Sequence, residues 1–302
     1  MKTIVTGGCG FIGSNLVDEL INLNHEVIII DNLSSDAHDQ FYYNKKATYY
    51  KHDIINKHIV NGIFERHRPD YVFHLAAEAK IQNCINDPVK AFNVNTVGTQ
   101  NILEASRMFN VKRVMFSSTS AIYGLNDTLP QKETLHPNCL NMYSYSKLFS
   151  EGLFKLYSEM YNVDSVCFRY FNVYGPRQPV RGSYAPVIGV FSRQLKNNQP
   201  MTVVGDGLQT RDYVHVTDIV SANILCMTTN SQLKGEVFNI GTGVSYSVLE
   251  IAKMMGEKWI HIDSREGEAR DTLADYQKAK ITLNWNPSKK LNEYLRDKQY
   301  LL

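Results

Sequence analysis

The sequence has few cysteines, no surplus of charge of one sign and no long hydrophobic run. Its five cysteines are scattered, without a C-x-x-C pair or histidines at zinc-ligand spacing, which excludes a disulfide framework and a zinc site. The 32 basic and 30 acidic residues nearly cancel, which argues against a nucleic-acid scaffold. No apolar run reaches the roughly 18 residues that span a bilayer. We therefore expect a cytoplasmic protein that holds no metal and binds neither nucleic acid nor a membrane.

The apolar pattern of the first half of the chain alternates between short and long periods. Short runs typical of strands are separated by longer stretches with helical spacing. The predicted strands lie at residues 3–5, 27–30, 71–75, 113–117 and 166–170. This alternation predicts an α/β fold with a Rossmann-type, doubly wound parallel sheet of six strands.

The pattern changes after residue 175 to shorter elements separated by glycine-rich turns, with no long linker. We expect a Rossmann domain over residues 1–175 and a smaller α/β lobe that binds substrate over residues 176–302, allowing for the chain to cross between them.

A glycine-rich turn follows the first predicted strand. Gly7, Gly10 and Gly13 are spaced G-x-x-G-x-x-G, so the backbone can approach a diphosphate closely, and the helix from Phe11 aims its free N–H groups at the anion. Asp31 ends the second strand about 20 residues further on, where a carboxylate accepts both adenosine ribose hydroxyls and repels a 2′-phosphate. The pattern predicts NAD rather than NADP. The alternative is an ordinary strand-to-helix turn, with Asp31 as a turn residue.

Tyr143 and Lys147 have a Tyr-x-x-x-Lys spacing that puts both side chains on one face of a helix. The spacing alone is not specific, because it also occurs at Tyr42 with Lys46 and at Tyr276 with Lys280. The Tyr143 pair differs from the others because it follows a strand that ends in hydroxyl side chains at residues 117–120.

The chemistry of this pair suits proton transfer. A tyrosine titrates near pH 10, and a neighbouring lysine and an oxidised nicotinamide would both lower its pKa. We therefore predict Tyr143 as general base, Lys147 as its positive neighbour and Thr119 as a hydrogen-bond partner of the reacting oxygen. The alternatives are a surface tyrosine and a Thr119 that caps its own backbone.

With these residues the chain resembles the extended short-chain dehydrogenase/reductases, and among them the UDP-hexose 4-epimerases, especially those acting on N-acetylated sugars. The resemblance runs from Lys2 to Pro287. It is carried by blocks in the family's order, at residues 6–13, 31–34, 74–77, 95–99, 143–147 and 169–178.

The resemblance implies a set of binding residues. Its cofactor residues are Gly7, Gly10, Phe11, Ile12, Gly13, Asp31, Asn32, Ser34, Asp53, Ile54, Leu75, Ala76, Ala77, Asn95, Ser117, Tyr143, Lys147 and Tyr170. Its substrate residues are Thr119, Tyr143, Asn172, Arg211, Arg270 and Thr272. Arg211 and Arg270, with Gly205-Asp206-Gly207, would clamp a UDP diphosphate, and their alternative is solvated or ion-paired surface arginine.

The resemblance also implies the reaction. Tyr143 would take the proton of the sugar 4-hydroxyl while hydride passes to NAD, and the resulting 4-keto sugar would rotate and be reduced on its opposite face. Ala121 stands where related dehydratases and decarboxylases carry an acid, which disfavours lyase chemistry. The alternatives are a nucleotide-sugar dehydratase or decarboxylase, a UDP-uronate 4-epimerase, for which Lys80 is the main reason, and a non-enzymatic NAD-binding regulator.

The sugar and the assembly follow from the same resemblance. Thr272 would border the sugar 2-position, where a tyrosine accompanies relatives restricted to glucose and galactose. Small Thr272 predicts that UDP-N-acetylglucosamine and UDP-N-acetylgalactosamine interconvert, along with UDP-glucose and UDP-galactose, unless Thr272 merely caps a turn. A homodimer is implied through helices at 95–108 and 148–161.

Overall fold

Strands and helices alternate along most of the chain. The computed structural model describes residues 1–35, 40–180, 185–264 and 269–298. The strands are β1 (Lys2–Thr6), β2 (Glu26–Ile30), β3 (Thr48–Tyr50), β4 (Tyr71–His74), β5 (Arg113–Thr119), β6 (Ser165–Tyr170), β7 (Asn172–Tyr174), β8 (Met201–Val204), β9 (Thr210–His215), β10 (Glu236–Ile240), β11 (Ser245–Ser247) and β12 (Trp259–Ile262). The helices are α1 (Phe11–Asn22), α2 (Lys57–His67), α3 (Ile81–Asn86), α4 (Pro88–Phe92), α5 (Gly98–Met108), α6 (Met142–Tyr161), α7 (Val187–Lys196), α8 (Val216–Thr228), α9 (Val248–Met255), α10 (Gln277–Leu283) and α11 (Leu291–Arg296).

The main sheet has seven strands in the order β10-β6-β5-β4-β1-β2-β3, and each neighbouring pair is parallel. Strand order runs in opposite directions from β1, which is the doubly wound arrangement that the sequence predicts. The five strands located from the sequence all lie in this sheet, which has one strand more than the six expected. β3 and β10 were not predicted, because β3 is a three-residue edge strand and β10 follows the change of pattern at residue 175.

The core of the main sheet lies on both of its faces. Alternate residues of one strand point to opposite faces, so Val5 packs with α1, α8 and α10, whereas Ile4 packs with α2, α5 and α6. β10, α8 and α10 come from the second half of the chain. The chain therefore returns to the main sheet and completes both its edge and one of its helical layers.

The smaller sheets are β11-β9-β7 and β12-β8. They pack with α7, α9 and α11 around a third apolar cluster that includes Tyr174, Phe191 and Ile251. Only one residue separates β6 of the main sheet from β7 of the three-stranded sheet. The three-stranded sheet therefore lies beside the carboxyl ends of the main-sheet strands.

Two helices that bear on the site have distinctive ends. α6 begins with a capping box, in which the Asn141 side chain accepts from the Ser144 N–H and Ser144 interacts with the Asn141 backbone in return. Between α4 and α5 the chain makes a π-helical turn at Asn93–Val97, a feature common at functional sites.

All five cysteines are free thiols and buried. Over the ranges that the structure describes, no helix is both long enough and apolar enough to cross a membrane, and no His, Cys, Asp or Glu cluster is arranged to hold a metal.

Candidate active site

The glycine turn between β1 and α1 depends on missing β-carbons. Gly7 has a φ of +71°, and a Cβ there would lie 2.8 Å from the backbone nitrogen of Ala76. A Cβ at Gly13 would lie 2.1 Å from the carbonyl oxygen of Gly7. The turn is therefore a tight cradle at the N-terminus of α1, a position that favours an anion.

A cavity of about 350 Å³, the first cavity, opens at the carboxyl ends of β1, β2, β4 and β5. Such an edge is where ligands bind in open parallel sheets. The predicted cofactor residues that line it are Gly7, Gly10, Phe11, Ile12, Gly13, Asp31, Asn32, Ser34, Asp53, Ile54, Leu75, Ala76, Ala77, Ser117, Tyr143, Lys147 and Tyr170. Every member of the predicted cofactor set except Asn95 thus borders one space.

Asp31 serves the turn and also borders the first cavity. Its carboxylate accepts from the backbone N–H groups of Cys9 and Leu33, each at 2.9 Å. Asn32 donates to the Asp53 carboxylate at 2.8 Å and thereby joins the ends of two loops of the cavity wall. Asp31 therefore both stabilises its turn and lies in the wall of the first cavity.

Asn95 lies behind the cavity wall. It is buried on the π-helical turn, where its amide donates to the Glu78 carbonyl at 3.1 Å and to Ser146 Oγ at 3.0 Å. Its side-chain oxygen accepts from the Glu78 N–H at 2.8 Å. Glu78 itself lines the cavity, so Asn95 fixes a wall segment against α6.

Tyr143, Lys147 and Thr119 meet in the first cavity. The Lys147 ammonium donates to the Ser117 carbonyl at 2.7 Å and lies 4.7 Å from the centroid of the Phe116 ring. Burial lowers the pKa of Lys147 to about 8. Thr119 Oγ1 accepts from the Ala121 N–H at 3.1 Å, so this hydroxyl also caps the 3₁₀ turn that follows β5.

The expected lowering of the tyrosine pKa is not produced by the protein groups alone. Burial raises the pKa of Tyr143 to about 12, against the opposing effect of a hydrogen bond with Thr119. In the chain without a nicotinamide, the loss of water around the phenolate outweighs the lowering effect of the Thr119 hydrogen bond.

Several side chains of the first cavity were not singled out from the sequence. They are Phe41, His52, Glu78, Lys90, Phe171 and Pro179. Glu78 directly follows the His-Leu-Ala-Ala block, so extending that block by one residue finds it. Pro179 directly follows the block at residues 169–178 in the same way, whereas Phe41 belongs to no motif and reaches the cavity only through the fold.

A second cavity, of about 370 Å³, contains both predicted clamp arginines. Arg270 pairs with Asp206 through two contacts, at 3.0 and 2.8 Å, and Arg211 donates to the Arg270 carbonyl at 3.0 Å. The hydrogen bonds from Arg270 lower the pKa of Asp206 to about 2. The two arginines are adjacent, and Arg270 is ion-paired as the alternative predicted.

Asn172 and Thr272 border neither cavity; both contact Asp212. The Asn172 amide donates to the Asp212 carbonyl at 3.1 Å, and Thr272 Oγ1 accepts from the Asp212 N–H at 3.4 Å. Thr272 is 8% exposed. Asp212 follows Arg211 of the second cavity, and Asn172 lies between two residues of the first, so the hydrogen bond from Asn172 to Asp212 connects the walls of the two cavities.

Comparison with known proteins agrees with this geometry. Residues 3–241 match the model of the NAD dependent epimerase/dehydratase family. The chain is 37% identical over 301 residues to a putative UDP-glucose 4-epimerase of Methanocaldococcus jannaschii, covering 97% of this chain and 95% of that one.

Two solved structures are also similar over nearly the whole chain. One is the UDP-glucose 4-epimerase of Thermotoga maritima with UDP-glucose, with 36% identity, a TM-score of 0.93, and coverage of 100% of this chain and 98% of the other. The second is the UDP-N-acetylglucosamine 4-epimerase of Methanobrevibacter ruminantium in complex with UDP-N-acetylmuramic acid, with 32% identity, a TM-score of 0.91, and coverage of 99% and 97%.

Proposed function

Because the chain belongs to the NAD-dependent epimerase/dehydratase family, we propose that it catalyses the 4-epimerisation of a UDP-hexose with bound NAD. The observation that carries the proposal is the convergence of Tyr143, Lys147 and Thr119 in the cavity that the glycine turn borders. A regulator without catalytic activity has no need of these three groups in one place.

The first cavity fits NAD on its own geometry. The cradle of Gly7 and Gly13 at the N-terminus of α1 would hold the diphosphate, since a side chain at either glycine would fill that space. Asp31 would hold the adenosine ribose, and Asp53 with Ile54 would contact the adenine. NAD supplies the reversible hydride acceptance that epimerisation at carbon 4 requires.

The side chains of this protein supply proton transfer and orientation. Tyr143 removes the proton of the sugar 4-hydroxyl and returns it after the sugar has turned, while Thr119 hydrogen-bonds the same oxygen. Since burial raises the pKa of Tyr143 to about 12, the phenolate needs a positive neighbour. Lys147, held by the Ser117 carbonyl, provides that charge.

UDP would remain bound in the second cavity while the keto sugar rotates. Arg211 and Arg270 offer cationic donors suited to a diphosphate. Lyase chemistry is less well supported, because the residue after Ser120 is Ala121, whose methyl group offers no acid or base.

The N-acetylated pair, UDP-N-acetylglucosamine and UDP-N-acetylgalactosamine, is our proposed preferred substrate, with UDP-glucose and UDP-galactose also accepted. The support is the small side chain of Thr272 and the similarity to the M. ruminantium enzyme. The buried position of Thr272 adds no support, since it borders neither cavity. Thr272→Tyr should lower kcat/KM for the acetylated pair and leave kcat/KM for UDP-glucose unchanged. Equal losses on both pairs would show that the size of residue 272 does not select the sugar.

A product assay tests the proposed reaction. The protein is incubated with UDP-N-acetylglucosamine or UDP-glucose, and the product is analysed by mass spectrometry and by NMR of carbon 4. We expect unchanged mass and inverted configuration at carbon 4. Loss of water or of carbon dioxide, or no conversion of any UDP-hexose, would contradict the proposal.

A second candidate is a UDP-uronate 4-epimerase. The observation that favours it is that Lys80 and Lys90 both border the cavity that contains Tyr143, where a cation would attract a sugar carboxylate. Lys90 also pairs with Glu78 at 3.2 Å. The same assay with UDP-glucuronate decides between the candidates. The second is favoured if the protein converts UDP-glucuronate faster than the uncharged UDP-hexoses and if Lys80→Met abolishes that conversion.

We also propose a homodimer through α5 and α6. The outer surface of α6 exposes large apolar side chains, among them Phe149 at 53% and Met160 at 66%, and Phe92 lies beside Phe149 with ring centroids 6.2 Å apart. Apolar exposure of this kind marks contact surfaces. Sedimentation at micromolar concentration should show a dimer that Phe149→Asp converts to monomer; a monomeric wild type would refute the dimer.

A further inference from the structure

A buried ion pair lies directly beneath the catalytic groups. Arg169 on β6 is 4% exposed and Glu151 on α6 is 6% exposed. The guanidinium and the carboxylate meet in two parallel hydrogen bonds, Nε to Oε1 at 3.0 Å and Nη2 to Oε2 at 2.8 Å. Such a two-point contact fixes both side chains in direction as well as in distance.

Glu151 joins the two elements that carry the catalytic side chains. It lies one helical turn beyond Lys147 and two beyond Tyr143 on α6. Its Oε1 also accepts from Ser118 Oγ at 2.5 Å, and Ser118 directly precedes Thr119 at the end of β5. The carboxylate therefore sets where the strand end lies relative to the helix.

Arg169 extends the connection to the chain beyond Thr119. Its Nη1 donates to Tyr123 Oη at 3.0 Å, and the Tyr123 hydroxyl donates to Asn239 Oδ1 at 2.6 Å. Asn239 in turn donates its backbone N–H to Glu133 Oε1 at 2.8 Å. The hydrogen bond from Arg169 to Tyr123 thus also fixes the 3₁₀ turn that follows Thr119.

The charges around Lys147 point to a second role for the pair. The titratable groups that act on the ammonium are Glu151 from α6, Cys84 from α3, His74 from β4 and Cys167 from β6, and Arg169 lies beyond Glu151. Tyr143 lies one turn before Lys147 on α6. Burial raises the pKa of both thiols, and burial lowers the pKa of His74 to about 3, so all three are neutral near pH 7. Glu151 is left as the negative group of this set.

We propose that Glu151 and Arg169 are positioning residues for the reaction, which hold Thr119 against Tyr143 and supply the counter-charge of the Lys147 ammonium. The inference rests on the proposed epimerase function. It gives a role in the reaction to two buried side chains that line neither cavity.

The first test is Glu151→Gln, which keeps the shape of the side chain and removes its charge. We expect kcat to fall between roughly tenfold and a hundredfold with little change in KM, because the reacting groups are displaced. Loss of the negative charge should also lower the pKa of Lys147 by about one unit, measured by NMR of the 15N-labelled lysine ammonium, and move the alkaline limb of the kcat profile with it.

A double variant separates positioning from stability. Removing one partner of a buried pair leaves an unpaired charge, whereas Glu151→Leu with Arg169→Met removes both charges and is tolerated better. We expect the double variant to recover thermal stability but not kcat. Full recovery of kcat and of the wild-type pH profile would show that the pair is structural only, and would overturn the proposal even if Glu151→Gln does not fold.

The matched control lies at the opposite end of the same two strands. Arg113, at the start of β5, pairs with Asp164, just before β6, at 2.6 Å, and both are largely buried. Asp164→Asn should lower stability without moving the pKa of Lys147 or the kcat profile; an equal shift would overturn the proposal. A wild type that epimerises no UDP-hexose instead refutes the proposed function, and the lysine NMR measurement still tests the counter-charge.

Discussion

The Lys147 ammonium donates to the Ser117 carbonyl oxygen at 2.7 Å, so the side chain that serves the tyrosine also ties α6 to the end of β5. Ser117 lies two residues before Thr119 on that strand. Because one hydrogen bond links the helix of the base to the strand of its hydroxyl partner, disturbing Lys147 affects geometry and charge together.

Tyr143→Phe should abolish turnover while leaving folding and NAD binding intact, because only the phenolic oxygen is lost. Turnover is measured with UDP-N-acetylglucosamine and UDP-glucose, and NAD binding by titration. Tyr145→Phe is the matched control, since Tyr145 lies on the same helix with its side chain exposed. Activity close to wild type in Tyr143→Phe would rule out the mechanism.

Lys147→Met should lose activity and bind NAD more weakly. It should also change how stability depends on pH. Burial lowers the pKa of Lys147 from 10.5 to about 8, so between these values the unfolded chain binds a proton that the native chain does not, and stability rises with pH.

Relative to Lys147→Met, the wild type should therefore gain about 2 kcal/mol of unfolding free energy between pH 8 and pH 10. Urea unfolding of both proteins without NAD measures the difference. The control is Lys155→Met, on the exposed part of α6. The difference in unfolding free energy between wild type and this variant should not change over the same pH range, because Lys147 is present in both proteins. A constant difference between wild type and Lys147→Met across this range would contradict the lowered pKa.

His74 should make the protein sensitive to acid. Its ring nitrogens lie 2.7 Å from Thr6 Oγ1 and 2.9 Å from Thr99 Oγ1, and burial, with a smaller effect of Lys147, lowers its pKa to about 3. The unfolded chain gains a proton below pH 6.5 that the native chain does not, so stability falls as pH falls from 6.5 towards 3.

Wild type should lose about 2 kcal/mol more than His74→Gln between pH 7 and pH 5. Urea unfolding at the two pH values measures this, and His136→Gln, at an exposed position, serves as control. Parallel losses in wild type and His74→Gln would show that other groups cause the acid sensitivity.

Asp31 should set the preference between the two nicotinamide cofactors. Its carboxylate borders the first cavity, where a 2′-phosphate would meet a like charge. We expect calorimetric titration to show tighter binding of NAD than of NADP. Asp31→Asn should reduce the ratio of the two dissociation constants, mainly by weakening the binding of NAD. Tighter binding of NADP by the wild type would refute the assignment.

The sequence was sufficient for those parts of the site that depend on local order along the chain. The glycine turn, Asp31 and the Tyr143–Lys147 pair each lie within or directly after one predicted element, so spacing and strand context place them. The surroundings of Asn172 and Thr272 could not be predicted in this way, because both contact Asp212, which is at least 40 residues from either in the sequence.

The buried pair shows the same limit more sharply. Arg169 lies in the block at residues 169–178 that carries the family resemblance, and Glu151 lies in a predicted helix. Neither suggested an ion pair, because their contact depends on α6 packing across β5 and β6. The raised pKa of Tyr143 could not be foreseen either, since it results from the depth at which the folded chain places the phenol.

The position of β10 at the edge of the main sheet has a consequence for synthesis of the chain. β6 is buried along its whole length in the finished protein, with β5 on one side and β10 on the other. On the ribosome, β10 emerges about 70 residues after β6, so during that interval β6 exposes an apolar strand with unpaired backbone groups. Until residue 240 emerges, this edge of β6 remains unpaired, so we expect a chain that lacks β10 to pair with neighbouring chains more readily than the complete protein does.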